Sequence, residues 1–302
     1  MANPVRTNNL APFKLPTAVV EPWLEKIKDQ SVIASLIPSS PVLFGTTEAF
    51  SFSSGEAEIV GEGDKKSSND VTVQRWETNS FTLQKTVRFS RQLDWADKSH
   101  RLRIIDRILE DLQPALARGF DYAALFGVNP KTGEASNYVP NYIAKTKQVI
   151  KAGDRNGYEM LDEAAGLLAG VGYTAQHIAL SPALAHKFNS TRDLDGRRLY
   201  DSFSPVQGTT SSIEGLKSTV AQAVSGNILT GDRAALKNTQ AFVGDFSAIK
   251  WGIVTDLGLQ KIEYGDPDGQ GDLMRTNEIA FRVEAHYGFG IADTDAFVRV
   301  TA

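Results

Sequence analysis

The sequence predicts an α+β fold, and three observations carry that expectation. Residues Phe50 to Phe89 alternate apolar and polar side chains with period two. Residues Leu102 to Phe126 repeat apolar side chains at three- and four-residue spacing. The remainder mixes short segments of both kinds, without a regular strand–helix–strand order.

The elements follow in order. Pro4, Pro12 and Pro16, several Asn and few apolar side chains make the first sixteen residues an extended arm with too little surface to fold alone. Val20, Trp23, Leu24 and Ile27 predict a short helix from about Thr17 to Gln30. Phe50 and Phe52, Ala57 and Ile59, Val71 and Val73, then Phe81, Leu83, Val87 and Phe89 predict strands with one buried face, Lys85 being the interruption. Gly61, Glu62, Gly63, Asp64, Lys65 and Lys66 open a polar stretch running to Asp70, the expected tip of a long hairpin. A two-stranded hairpin is marginal by itself in water, so this one needs a surface to lie on.

Leu102, Ile105, Leu109, Leu112, Leu116, Phe120 and Ala123 predict one long helix. Asp106, Arg107, Glu110, Asp111, Arg118 and Asp121 are placed on its polar sides. Pro114 is expected to bend it or leave a carbonyl unpaired, and Gly127 to close it. Beyond it come a helix from Tyr158 to Leu168, a short buried strand His177 to Leu180, and a helix begun by Ser181-Pro182. Strands are expected around 240–243, 250–254, 259–264, 277–286 and 296–300, with 266–272 a solvated loop.

Charge and composition exclude several function classes. Lys and Arg number 32 against 36 Asp and Glu, so no basic excess marks the chain as a phosphate-neutralising binder. No apolar run reaches the ~18–20 residues that span a bilayer, and Met1 to Leu10 lack the apolar core of a secretory signal. With no cysteine and four histidines, thiolate chemistry is absent and a His-rich metal site is not expected. Gly63-Asp64-Lys65-Lys66-Ser67 has the wrong spacing for a phosphate loop, and no GxSxG nucleophile elbow occurs. Asp266, Asp268 and Asp272 lack the ligand spacing of a calcium loop. The informative features are an arm, a long hairpin and a long helix, which belong to proteins that assemble. No catalytic residues, metal or cofactor are expected.

In their order these segments resemble the major capsid protein family of tailed bacteriophages, the Hong Kong 97-type fold. The similarity rests on Ile59-Val60-Gly61-Glu62-Gly63, on Phe81 to Ser90, and on Ile105 to Phe126 ending Phe120-Asp121-Tyr122-Ala123-Ala124-Leu125-Phe126-Gly127. It continues through Ile178 to Pro182, Asp193 to Arg197, Val243-Gly244-Asp245-Phe246 and Ala296 to Val300. It covers about residues 45–302, and each motif is short.

The resemblance implies an N-terminal arm and short helix (1–30) and an extended loop (46–90). It also implies a peripheral domain (31–45, 91–150 and 256–302) with a spine helix at about 101–126, and an axial domain (151–255). It further implies self-assembly through hexamers and pentamers into an icosahedral shell around phage double-stranded DNA, with the hairpin over an adjacent subunit. Portal protein, a separate scaffolding protein and a decoration protein are the implied partners. DNA is contacted weakly and non-specifically, and no membrane is involved. The implied location is the virion, after assembly in the host bacterial cytoplasm. An encapsulin-like compartment shell is the alternative. Some members cross-link a loop Lys to an Asn with help from a Glu, which makes Lys65, Lys66, Asn277 and Glu284 candidates, with non-covalent assembly the default. Two departures from the family pattern are Pro114 inside the spine helix and His286 where an Arg is common.

Overall fold

Two sheets share one long helix. The computed structural model describes residues 31–42, 45, 47–54, 57, 59–61, 65, 68, 71–93, 95, 104–153, 155–193, 195–200, 203 and 211–302. In chain order the elements are helix α1 (Val32–Leu36), strands β1 (Thr47–Ser54) and β2 (Val71–Ser90), and helix α2 (Ile104–Phe126). Strand β3 (Val149–Lys151), helix α3 (Gly157–Gly170), strand β4 (His177–Leu180) and helix α4 (Pro182–Ser190) come next. Strands β5 (Ser211–Ile213), β6 (Leu216–Val220), β7 (Thr239–Gly244) and β8 (Ile249–Ile262), helix α5 (Leu273–Thr276), and strands β9 (Glu278–Ile291) and β10 (Phe297–Thr301) complete the series. The predicted helix at 17–30 lies outside the described residues.

The first sheet has the order β1-β2-β9-β8, with every pair antiparallel. The parity read from the sequence sets its faces. Phe81, Leu83, Val87 and Phe89 point with Ile279, Phe281, Val283, Ala285, Tyr287 and Phe289 toward α2. Phe120 of α2 is the hub of that contact, its ring centroid 4.8 Å from Tyr287, 5.3 Å from Trp251 and 6.1 Å from Phe289. The helix runs unbroken through Pro114.

The second sheet has the order β3-β10-β7-β4-β6-β5, mixing parallel and antiparallel pairs. Met160, Leu161, Ala164 and Leu168 of α3 and Leu184 and Phe188 of α4 pack on one face, against Ile178, Leu180, Val243, Val298 and Val300. Its other face meets the end of α2, where Phe126 and Phe242 stand edge-on at 5.7 Å. Helix α2 thus joins both sheets over ~35 Å of length. Gly127 ends it at φ +64, where a Cβ would lie 2.6 Å from the Tyr142 ring.

Two expectations about strands change. Strands read separately at 250–254 and 259–264 are one strand, β8. Bulges between Ile253 and Thr255 and between Asp256 and Gly258 break the alternation while the chain stays in the ladder. The alternation at Ala57 and Ile59 is not a strand: β1 ends at Ser54, and Ile59 is fully exposed. Residues 79–90 pair with β9 inside the body. Residues 297–301 lie within the second sheet.

Gly252 and Gly288 are cross-strand partners on the sheet face away from α2. There residues 40–42 pass so close that a Cβ on Gly252 would lie 2.1 Å from the Ser40 carbonyl oxygen, and one on Gly288 would lie 2.3 Å from Val42. Gly252→Ala is therefore expected to lower unfolding stability by about 1–3 kcal/mol, read from urea denaturation. An unchanged midpoint would show that this passage is not packed as described.

Candidate functional site

The candidate feature is a two-stranded ribbon. Strand β1 pairs with β2 over eight register positions, from Thr47 opposite Thr78 to Ser54 opposite Val71. At Asn79, β2 exchanges that partner for β9 and enters the body. Residues 71–78 therefore have β1 on one side and no further strand partner among the described residues. Backbone donors and acceptors on such edges invite another chain. Beyond the ribbon, Ala57, Gly61, Lys65 and Ser68 are exposed. Glu62, Gly63, Asp64 and Lys66 lie outside the described residues.

The ribbon is rooted by a strap, residues 31–42 and 45. Its helix α1 is held at both ends by opposite charges. At the start, Asp121 of α2 accepts from Ser31 Oγ (2.6 Å), Val32 N (3.0 Å) and Ile33 N (3.4 Å). At the end, Lys217 Nζ donates to the Leu36 carbonyl at 2.8 Å. A carboxylate at a helix start and an ammonium at its end both oppose the helix dipole favourably.

The strap then crosses the edge strand β8. Trp251 Nε1 donates to the Ile37 carbonyl at 3.2 Å, and Ser40 N donates to the Trp251 carbonyl at 2.7 Å. It continues over Gly252 and Gly288 to Gly45, whose N donates to Ser80 Oγ at 3.1 Å. Asp121, expected on a polar side of α2, is fully buried. Burial pushes its carboxyl up to about 7, against the pull of the three donors. A sequence signal did exist, since Ala117 and Leu125, four residues to either side, are buried on the same stripe.

At the opposite end of β2, Arg88 fixes the loop 265–272. Its side chain is 7% exposed, and its Nε donates to both Asp268 oxygens (2.7 and 2.9 Å). Nη1 reaches Glu278 at 3.2 Å, and Nη2 reaches Asp266 at 3.0 Å and the Gly271 carbonyl at 2.7 Å. Burial alone would lower the Arg88 pKa, but the hydrogen bonds and charges of Asp268 and Glu278 hold it raised. Arg282 Nη2 donates to the Pro267 carbonyl, and Arg91 Nη2 donates to the Glu263 carbonyl at 2.9 Å. The expected solvated loop is thus bolted to the sheet. Sequence reading missed this because Arg88 and its partners lie 178–190 residues apart.

Of the four cross-link candidates, Lys66 lies outside the described residues, and Lys65, Asn277 and Glu284 are not brought together within one chain. Lys65 lies beyond the ribbon, near the opposite end of β2 from Asn277. Asn277 caps α5 in the left-handed region at φ +55, just outside β9. Glu284 stands within β9, 3.4 Å from Arg282 and opposite Gln84. At ~3.3 Å per residue, roughly 20 Å of strand separates it from Asn277. Among the described residues no group of three or more His, Asp or Glu could hold a metal ion, and no helix is long and apolar enough to cross a membrane.

Similar proteins include several from phages. A solved structure from Mycobacterium phage Ogopogo superposes with a TM-score of 0.80 at 32% identity, covering 98% of this chain and 99% of that one. One from Gordonia phage Cozz gives a TM-score of 0.74 at 26% identity, over 97% and 90%. The "Probable major capsid protein gp17" of Mycobacterium phage D29 is 25% identical over 257 residues, 81% of this chain and 76% of that protein. The model of the Phage capsid family matches residues 13–302. With its ribbon, spine helix and two sheets in α+β arrangement of Hong Kong 97 type, this chain belongs to the phage capsid family.

Proposed function

We propose that this chain is a major capsid protein, assembling through hexamers and pentamers into an icosahedral shell around phage double-stranded DNA. The ribbon carries this reading: it leaves the body beyond Thr78, with no third strand among the described residues, so an adjacent subunit supplies the surface beneath. Many such weak contacts sum to a stable container. The half built on the first sheet and α2 serves as the peripheral domain, and the half built on the second sheet, with 297–301, as the axial domain. The formal net charge of -4 suits a wall that holds DNA without binding it tightly.

Assembly takes place in the host bacterial cytoplasm, with a separate scaffolding protein and a portal, and decoration protein as a further partner. Contacts between copies are non-covalent. Relatives named as phage capsid proteins favour this over a compartment shell. Negative-stain imaging and sedimentation of recombinant protein test the reading: particles or capsomers are expected, and a stable monomer at high concentration refutes it. Deleting 61–70 is expected to leave a folded subunit, with unchanged far-UV circular dichroism, that forms no complete shells. Normal particles from that deletion would remove the ribbon's role.

A further inference from the structure

Two guanidinium groups approach one buried phenol where helix α2 ends. Tyr142 packs against Gly127. The Arg233 guanidinium carbon lies 4.2 Å from the centre of the Tyr142 ring, and Arg233 Nη1 donates to the Tyr142 hydroxyl. Arg299 approaches from β10. It stands opposite Phe242 in the ladder, on the sheet face where Phe242 meets Phe126. Burial lowers the Arg299 pKa, and the Tyr142 phenol pulls against that.

The two arginines are closed to water without being matched. Arg233 Nε, Arg299 Nε and Arg299 Nη1 are buried and have no acceptor among the described residues. Neither guanidinium has a carboxylate partner among those residues. Charged donors in that condition are costly. The adjoining segment, whose Gln148 carbonyl accepts from Arg299 N at 2.9 Å, offers one spare acceptor, Gln148 Oε1. That amide oxygen is neutral and cannot offset two positive charges.

The surroundings deepen the positive field. No Asp or Glu occurs between Glu134 and Asp154, whereas Lys145, Lys147 and Lys151 lie in that stretch and are exposed. Strand β3, which carries Lys151, pairs with β10 alongside Arg299. Both arginines are only half-buried, so a small solute can reach them. A tetrahedral oxyanion with one to two negative charges answers both the charge and the fork geometry of two guanidiniums. A nucleic-acid strand is too bulky to follow the closed N–H groups inward.

We propose that Arg233 and Arg299 together bind one small free oxyanion of the phosphate class. The ion clips the 142–151 segment, the turn Gly231–Leu236 and β10 together beside the end of α2, at the joint between the two sheets.

The test is the melting temperature of the full-length, unassembled chain in chloride and in inorganic phosphate, at equal ionic strength and near neutral pH. It therefore stands apart from the shell reading. About 10 mM phosphate is expected to raise the melting temperature by about 3 °C. Arg299→Met and Arg233→Met are each expected to raise the phosphate concentration that gives half of this shift about tenfold. Arg299→Met also separates binding from structure. In chloride it is expected to melt at or above the wild-type temperature, because an unmatched buried charge is gone, and in phosphate below it. A loss of equal size in both buffers would make Arg299 structural only and overturn the proposal. Wild-type protein indifferent to phosphate would show that water suffices for these N–H groups, with the same consequence. A shift that survives in both variants would place the ion elsewhere. A response to a short DNA duplex but not to inorganic phosphate would assign the arginines to nucleic acid and overturn the free-ion site.

Discussion

Asp121→Ala is expected to detach the strap from the spine helix and to cost about 3 kcal/mol of unfolding stability. The substitution leaves Ser31 Oγ and the backbone N–H groups of Val32 and Ile33 without their acceptor in a site closed to water. Asp121→Asn is expected to cost roughly half as much. Its amide keeps one acceptor oxygen but turns an NH2 group toward a donor. Urea denaturation reads the global loss. Hydrogen exchange at 32–36 shows whether it is local, since loosened α1 amides exchange faster while those of β9 are unchanged. Uniformly faster exchange would mean that Asp121 supports the whole core and not the strap.

The same group gives a pH dependence of definite sign. Its folded pKa, pushed up to about 7, lies above the ordinary carboxylate value of 3.8. Between those values the folded chain binds more protons than the unfolded one, so stability falls as pH rises. This contribution is fully present below about pH 4 and is gone above about pH 7. Asp121→Asn removes that slope. A wild-type profile rising from pH 4 to 7, with no difference in slope from Asp121→Asn, would contradict the assignment.

Arg88→Met is expected to cost about 3 kcal/mol, the low end for removing one partner of a buried ion pair. The low end applies because water can reach two of the three stranded carboxylates: Asp266 is 40% and Asp268 26% exposed, against 6% for Glu278. Arg88→Lys restores the charge but not the fork that reaches Asp268, Glu278 and Asp266 together, so about half the loss is expected to remain. Limited proteolysis between Tyr264 and Leu273 should accelerate in both variants, and an uncut loop would show that Arg88 does not hold it.

Acid tests this node with the opposite sign to Asp121. Burial alone would raise the Asp266 pKa, but the backbone N–H groups of Gly271 and Gln270 outweigh it and hold the carboxyl below its usual value. That contribution is present above about pH 4 and is lost as pH falls further, when the loop should loosen.

Local pattern determined much of this protein. The parity of Phe81, Leu83, Val87 and Phe89 identified the buried face of β2, and the spacing of Leu112, Leu116, Phe120 and Ala123 identified the spine helix and its contact stripe. Ser181-Pro182 marked the start of α4, where Ser181 Oγ accepts from Leu184 N at 3.3 Å. These were legible because amphipathic period and capping act between residues a few positions apart.

Strand β6 was not legible. Ser218 and Thr219 are buried in the second sheet between the hairpin partner β5 and the more distant β4, and nothing local marks these polar residues as core. The bulged β8 was read as two strands because its extra residues erase the alternation that a reader follows.

The sequence by itself determined the α+β class, the long helix and the presence of a β-projection, because each is written in the periodicity of neighbouring side chains. Only the tertiary structure decided where the projection leaves the body, how the strap crosses β8, and that Asp121 and Arg88 are anchors. Those outcomes depend on groups up to 190 residues apart meeting out of water, where an unmatched charge or donor is costly. Spacing along the chain does not encode such meetings.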